Sequence, residues 1–390
     1  MRLLLVAPST SYRLEAFLDA ADALGCAVTV ATDAPSAIPG ASIWVPFDDP
    51  AGAAALLVHQ VGAVDGVVGT DGDAVAVAAD VAARLGLPAN DPVAVAAATD
   101  KLAQRVAAAG AGVPQPAFAG VADSSVDWSI FPAVVKPVGR CASQGVLRAD
   151  TPTELHEALR RVHQIVGDAE PLIVEQFVPG VEVAVEGLLR GGELEVLAVF
   201  DKPDTPHGPT FAETLLVSPA RLAPDVLARV LDVAGRACAA VGLFEGPVHV
   251  ECKVDGVDVQ FLELAARSIG GLCSRTLEHG GITLEEVVLR HALGLPVAVP
   301  QAERRGATGV LMLPVPRTGR LRAVHGTDAA RGVEGVTDVV LSIGVGQDVV
   351  ALPEGDRYLG FVFARAETPD RVEAALRAAW WLLEVDITVS

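Results

Sequence analysis

Two carboxylates and a guanidinium fall close together in the stretch Gly246–Arg275, GPVHVECKVDGVDVQFLELAARSIGGLCSR. Glu251 lies in a strand-like run, His249–Val254, and Glu263 near the end of a second, Val257–Leu264. Arg267 follows four residues after Glu263, with Gly270-Gly271 just beyond. Hard cations such as Mg²⁺ take oxygen ligands, usually one or two carboxylates, and keep positions for phosphate oxygens and water. Arg offers a planar donor fork to a carboxylate or a phosphoryl group. Magnesium-assisted phosphoryl transfer needs this set of groups. The alternative is a solvated ion pair, since acidic strand residues are mostly exposed and a Glu-to-Arg spacing of four is common at surfaces. The neighbours Val248, Val250, Cys252, Phe261, Leu262 and Leu264 favour the site, because a charge in apolar company needs a partner or a metal.

The elements that position these groups are legible in outline. Asp255-Gly256 between the two runs is a hairpin signal. A plain two-residue turn there would set Glu251 opposite Gln260 and leave Glu263 on the other face, because strand side chains alternate. The spacing therefore predicts a three-residue loop or a bulge that brings both carboxylates to one face.

Further candidates lie upstream. Asp100 or Thr99 can cap a helix that begins at Lys101 and runs to Ala109. Phe131–Lys136 reads as a strand, and the small-residue loop Val138–Val146 after it contains Ser143, Gln144 and Gly145. Such loops let backbone N–H groups approach phosphate, and Lys136 is placed to meet one. The loop lacks a G-K-[ST] ending and is not a Walker P-loop. Next comes a strand-turn-strand, Leu172–Gly180 into Val181–Glu186, with Glu175 and Glu182 flanking Pro179-Gly180. It suits purine recognition or is an ordinary turn. The polar loop Asp201–Pro209 carries Lys202 and His207, and Glu213 follows; loop charges of this kind are as readily exposed.

Residues 1–97 alternate strands (Leu3–Ala7, Cys26–Ala31, Gly66–Gly69) with helices (Tyr12–Leu24, Ala74–Leu85), which predicts a parallel sheet covered on both faces. No G-x-G-x-x-G follows the first strand, so dinucleotide binding is unsupported. Thr70-Asp71-Gly72-Asp73 sits where α/β ligands tend to bind, and is equally ordinary turn chemistry. Pro224–Val241 and Thr283–Leu293 read as helices, and Gly191-Gly192 as a hairpin turn. Gln301–Gly306 reads as a linker, followed by strands Gly309–Leu313, Val336–Ile343 and Gly360–Ala366 and a helix Pro369–Trp380.

The chain of 390 residues is 51% hydrophobic and 20% charged, the balance of a globular protein with two or three domains of core. A net charge of −20 argues against nucleic acid, which demands clustered Lys and Arg. Five cysteines without a C-x-x-C pair fit reduced thiols. No signal peptide or membrane-length apolar run is evident, and a cytoplasmic location is expected.

Together these residues resemble the ATP-grasp superfamily, most closely the carboxylate–amine ligases of the L-amino-acid ligase, dipeptide-forming type. The resemblance rests on Asp100-Lys101, VVKP at 134–137, the loop 139–145, VEQFVPGVEVAVEG at 174–187, HVE at 249–251 and ELAARSIGG at 263–271. It implies a mixed α/β and α+β architecture in three parts: an N-terminal α/β domain with a parallel sheet (1–97), a two-lobed ATP-grasp domain (98–300) and a small C-terminal α+β domain (301–390). It implies ATP with Mg²⁺, Mn²⁺ being the alternative. Lys101, Lys136, Ser143, Gln144 and Gly145 would contact nucleotide phosphates. Glu175, Gln176, Phe177 and Val178 would form the hinge that reads adenine, and Glu182 would bind ribose. Glu251 and Glu263 would hold the metal. Arg267, with Lys136, would be catalytic, stabilising an acyl phosphate and a tetrahedral intermediate. Glu213, Arg267, Gly270 and Gly271 would contact substrate, Glu213 pairing with an α-ammonium group. Relatives often carry Asn two positions after the second metal Glu; here Ala265 stands there, which puts a second metal in question.

The implied activity is ADP-forming amide or peptide bond synthesis through an acyl phosphate, with an amino acid among small-molecule carboxylate and amine substrates. A homodimer, without nucleic acid or membrane, fits the family. Three alternatives stay open: a carboxylase-like enzyme activating bicarbonate, a ligase of a non-amino-acid carboxylate, and a catalytically silent ATP-binding module.

Overall fold

The computed structural model describes residues 1–34, 42–121, 126–278, 281–297 and 306–389. Most of the linker read at Gln301–Gly306, and the 300/301 boundary with it, lies outside the described residues. Among the described residues, no helix is long and apolar enough to cross a membrane.

The N-terminal region forms the expected parallel sheet, in the order Ser42–Trp44, Ala27–Thr32, Arg2–Val6, Gly66–Gly69. Its central strand is apolar at every interior position because both faces are covered. Leu4 and Val6 pack against Leu57 and Val77 of the helices Pro50–Val61 and Ala74–Leu85. Leu3 and Leu5 face the other way, against Phe17 and Ala21 of the helix Leu14–Ala23. Val288 and Leu289 complete that second face, and they belong to the distant helix Leu284–Ala292. A helix from late in the chain thus closes the first sheet and ties it to the centre.

A smaller antiparallel sheet follows, ordered Phe118–Gly120, Leu172–Gln176, Ala133–Pro137, Leu147–Ala149. The helix Pro152–Val166 covers one face through Leu155, Leu159 and Val162. Thr151 caps this helix, accepting from the Glu154 N–H at 3.2 Å. The Glu154 carboxylate reaches back to the Asp150 N–H at 2.8 Å, one residue earlier than a capping box requires.

The central sheet is larger than the sequence suggests. Its eight strands run Asp258–Ala265, Gly246–Asp255, Val181–Arg190, Glu193–Lys202, Leu215–Ser218, Ala307–Leu313, Gly360–Ala366, Val336–Leu341. Three of these strands come from beyond residue 300. Leu215–Ser218 pairs antiparallel with Ala307–Leu313, so the sheet continues into the C-terminal segment without a seam. The helices Lys101–Gly110 and Pro224–Val241 cover one face through Ala108, Val230, Val233 and Cys238, meeting Val183, Val185, Val248 and Val250. Strand alternation then sends Glu182, Ala184, Glu186, His249, Glu251 and Lys253 to the opposite face. The short strands Gly319–His325 and Glu384–Thr388 pair in a separate three-stranded sheet, and neither was apparent in the sequence.

The expected bulge is present. Asp255 pairs with Asp258 around a two-residue turn, and Lys253 with Gln260; the register then shifts, so that Cys252 faces Phe261 while Glu251 faces Glu263. Leu262 is the extra residue. The turn is Gly256-Val257, one residue beyond the expected Asp255-Gly256; without the register shift Glu251 would oppose Leu262, and Glu263 would point into the apolar layer.

Candidate active site

The hairpin's outer strand, Asp258–Ala265, ends the sheet, and an uncovered strand edge presents unpaired backbone groups. The helix Lys101–Gly110 covers it residue by residue. Gln104 donates to Leu264 O at 3.0 Å and accepts from Leu264 N–H at 2.9 Å, replacing a missing strand partner. Arg105 donates to Phe261 O at 3.0 Å and to Leu262 O, the two carbonyls beside the bulge. Lys101 reaches Glu263 at 3.6 Å and the carbonyl of Arg140 at the small-residue loop. Helix, bulge and loop are therefore held in register around Glu263.

Arg105 also pairs with Glu175 at 2.7 Å, and the same carboxylate takes Lys136 at 2.8 Å on its second oxygen. Burial alone would raise the Glu175 pKa, but Arg105 and Lys136 overcome it and hold it at about 2. Glu175 is 2% exposed, and both its oxygens are taken, one by Arg105 and one by Lys136. The hinge backbone is partly committed as well: Gln176 N–H donates to Ala117 O and Phe177 N–H to Pro132 O, both at 2.9 Å. Phe177 lies under the Arg148 guanidinium, 4.5 Å from the ring centroid, and beside Phe211 and His207. Gly180 follows at φ +97°, where an added Cβ would meet Val254 O at 2.2 Å; only glycine fits this turn.

On the polar face of the sheet, Lys202 ends the strand Glu193–Lys202 and is 5% exposed, not the open loop charge its setting suggested. Its ammonium pairs with Glu182 at 2.7 Å, with Glu251 at 2.6 Å and with Glu213. One oxygen from each of the three glutamates lies within 4.8 Å of the others. Desolvation works against the Lys202 charge, but three carboxylates raise its pKa well above the usual value. Burial, with Glu251 and Glu182 close by, pushes Glu213 up to about 7 against the pull of Lys202.

His249 bridges Glu186 and Glu251, at 3.1 Å from the latter. Burial disfavours its charge, but Glu186 and Glu251 win and raise it to about 9. Glu186 in turn accepts the Ile269 N–H at 3.0 Å, and Lys253 lies 3.4 Å from Glu182.

The small-residue loop has Ala142 at φ 53° and Ser143 at φ 58°, both in the left-handed region that residues other than glycine rarely adopt. Its far end is committed to the C-terminal segment: Gly145 N–H donates to Pro353 O at 2.8 Å, and the Gln144 amide to Glu354 O at 2.9 Å. Arg267 donates to Ser268 O at 3.0 Å. Of the two glycines beyond it, Gly270 is open, its nearest neighbour an Arg267 nitrogen at 3.7 Å from an added Cβ. Space at Gly271 is already taken by the Phe361 ring, at 3.0 Å.

Comparison with known proteins fits this arrangement. The ATP-grasp domain family matches residues 129–276, and the family described as L-amino acid ligase C-terminal domain 2 matches residues 311–388. D-alanine–D-alanine ligase of Gloeobacter violaceus is 30% identical over 228 residues, covering 53% of this chain and 72% of its own. The chain belongs to the ATP-grasp family. Human carnosine synthase 1 is 28% identical to this ATP-grasp chain over 278 residues, 64% of the chain. The match spans only 33% of that synthase and 62% of another curated relative. The fold is that of L-amino acid ligase from Bacillus licheniformis, with a TM-score of 0.85, 24% identity, and 99% of this chain and 98% of that one covered.

The polar face could have been found in sequence. V-E-V-A-V-E at 181–186 and H-V-E-C-K at 249–253 alternate charge and apolar bulk with period two, and both runs pair in the sheet. Arg105 and Gln104 carry no such signal, since each acts through backbone groups far away in sequence.

Proposed function

We propose that the chain is an ATP-dependent carboxylate–amine ligase that forms an amide or peptide bond, with an amino acid as one substrate. ATP would transfer its γ-phosphoryl group to a substrate carboxylate, giving ADP and an acyl phosphate. The amine would then displace phosphate. The observation that carries this reading is the cluster of Glu182, Glu213 and Glu251 oxygens gathered on Lys202.

The donor set fits a hard divalent cation, because it is all carboxylate oxygen and more negative than its lysine can balance. Glu251, which belongs to this cluster, and its cross-strand partner Glu263, which lies outside it and pairs with Lys101, are the ligands proposed for Mg²⁺, or Mn²⁺ in its place. When bound, the ion supplies positive charge against the phosphate oxygens.

The remaining work falls to the chain. Lys136, oriented by Glu175, and Lys101 would bind phosphate oxygens, with Ser143, Gln144 and Gly145 covering them. The hinge Gln176–Val178 would read adenine through its backbone, and Glu182 would accept ribose hydroxyl protons. Arg267 would offer its fork to the activated carboxylate, and Gly270 would leave access beside it. Glu213 would pair with the α-ammonium group of an amino acid. We assign these tasks to an N-terminal domain (1–97), an ATP-grasp domain (98–300) and a C-terminal domain (301–390), the last sharing the central sheet.

The test is ADP release with magnesium-ATP across a panel of amino acids and related acids, with hydroxylamine trapping the activated carboxylate. Hydroxamate matching ADP from particular acids is the expected result. Glu263→Gln and Arg267→Ala should each lower this turnover about a hundredfold or more; wild-type rates in both would sink the reading. ADP release on bicarbonate alone would point to carboxylase chemistry.

A further inference from the structure

Arg13 lies between the first strand and the helix Leu14–Ala23, far from the charged sheet face in sequence, and is 1% exposed. Its guanidinium donates to Ser268 Oγ at 2.7 Å, Ser268 O at 3.4 Å, Thr70 O at 3.3 Å and Glu285 Oε1 at 3.1 Å. Its plane covers the Phe17 ring at 5.0 Å. Ser268 follows Arg267, and Arg267 donates to the same Ser268 carbonyl at 3.0 Å. Two guanidinium groups therefore converge on one oxygen, one from inside the fold and one from the site. From the opposite side, Glu186 takes the next N–H, that of Ile269.

A buried Arg–Glu pair is weak evidence for stability, because desolvation offsets its attraction. Here the pair also grips the turn that carries Arg267. We propose that Arg13 is a positioning residue: acting through Ser268, it fixes the Arg267 guanidinium against the reacting carboxylate, so that the N-terminal domain completes the site. This rests on the role proposed above for Arg267. Misplacement of a reacting or stabilising group by an ångström can cost about a hundredfold in rate, which is the scale on which such a clamp acts.

The double substitution Arg13→Met/Glu285→Gln removes the clamp without leaving a lone buried charge, and Ser268→Ala removes only the 2.7 Å bond. In the hydroxamate assay, the double variant should lose about tenfold to a hundredfold in kcat with KM for ATP unchanged, and Ser268→Ala a smaller part of that. Adding Arg267→Lys to the double variant should cost little more, because both act on one guanidinium. Unchanged kcat in Ser268→Ala and in the double variant overturns the proposal. So does a loss that appears equally in KM for ATP, or losses that multiply with Arg267→Lys. If the double variant does not fold, Ser268→Ala alone decides, by the same kcat-against-KM split. Wild-type turnover by Arg267→Ala overturns the parent reading instead, independently of Arg13.

Discussion

Two buried ion clusters flank the hairpin, and they are built on opposite principles. Around Glu175, one carboxylate is shared by two cations, Arg105 and Lys136, and each oxygen has its own partner. Around Lys202, one ammonium is shared by three carboxylates. Counting His249 and Lys253 as cations, and Glu186 with the others, still leaves four carboxylates facing three positive groups. The first cluster holds both oxygens of its carboxylate and is left with one positive charge over. The second is short of positive charge, and Glu213, held near neutrality at about 7, registers the deficit. The two clusters thus look alike as lists of ion pairs, yet leave unmatched charge of opposite sign, positive beside Glu175 and negative around Lys202.

The largest effect should come from removing the hub of the deficient cluster. Breaking a buried ion pair from one side costs about 3–5 kcal/mol. Lys202→Met should therefore lower the free energy of unfolding by about that amount in chelator. Magnesium should return part of it, since a cation that binds only the folded state stabilises by mass action. Urea titrations with and without magnesium measure both. A variant destabilised equally in the two conditions would show that the carboxylates do not gather a cation, and the contrast between the clusters would fall.

The positive cluster, around Glu175, should respond to pH and not to metal. The folded pKa of Glu175 lies below its ordinary value, so its contribution is full above about 4.5 and is lost as pH falls through about 2. At neutral pH, Glu175→Gln should cost about 3 kcal/mol. The gap between variant and wild type should narrow as pH drops from about 4.5 toward 2, with magnesium making no difference. A gap that stays constant over that range would mean the pair contributes nothing through its charge. Lys136 loses its orienting partner in the same variant, so KM for ATP should rise as well.

Much of this frame was legible in the sequence where local pattern decides structure. The helix Pro224–Val241 has the expected bounds, because Pro opens it at its first position and Gly242 closes it at φ 88°. The bulge followed from counting side-chain alternation between Glu251 and Glu263. Long-range choices were another matter. Nothing local says that Leu215–Ser218 will take Ala307–Leu313 as its neighbour. Lys202 read as a loop charge because Pro203 and Pro206 follow it, although alternation along Glu193–Lys202 places it on the face of Phe200. Arg13 and Arg105 were silent because half of their acceptors are backbone carbonyls, and nearly all lie far away in sequence and are brought near by folding.

The smallest effect belongs to a third kind of ion pair, which bounds the comparison from below. Arg161, on the helix Pro152–Val166, pairs with Glu354 of the C-terminal segment, but their side chains are 50% and 34% exposed. Water screens such a pair, and ordering two long side chains offsets the attraction, so exposed pairs contribute about 0–1 kcal/mol. Arg161→Ala should change unfolding stability by no more than about 0.5 kcal/mol in low salt, and less in high salt. The neighbouring Gly145–Pro353 and Gln144–Glu354 hydrogen bonds use backbone carbonyls and remain intact in that variant. A loss of several kcal/mol would mean that contact between distant segments, and not burial, sets the worth of ion pairs here, and the ranking of all three would need to be redrawn.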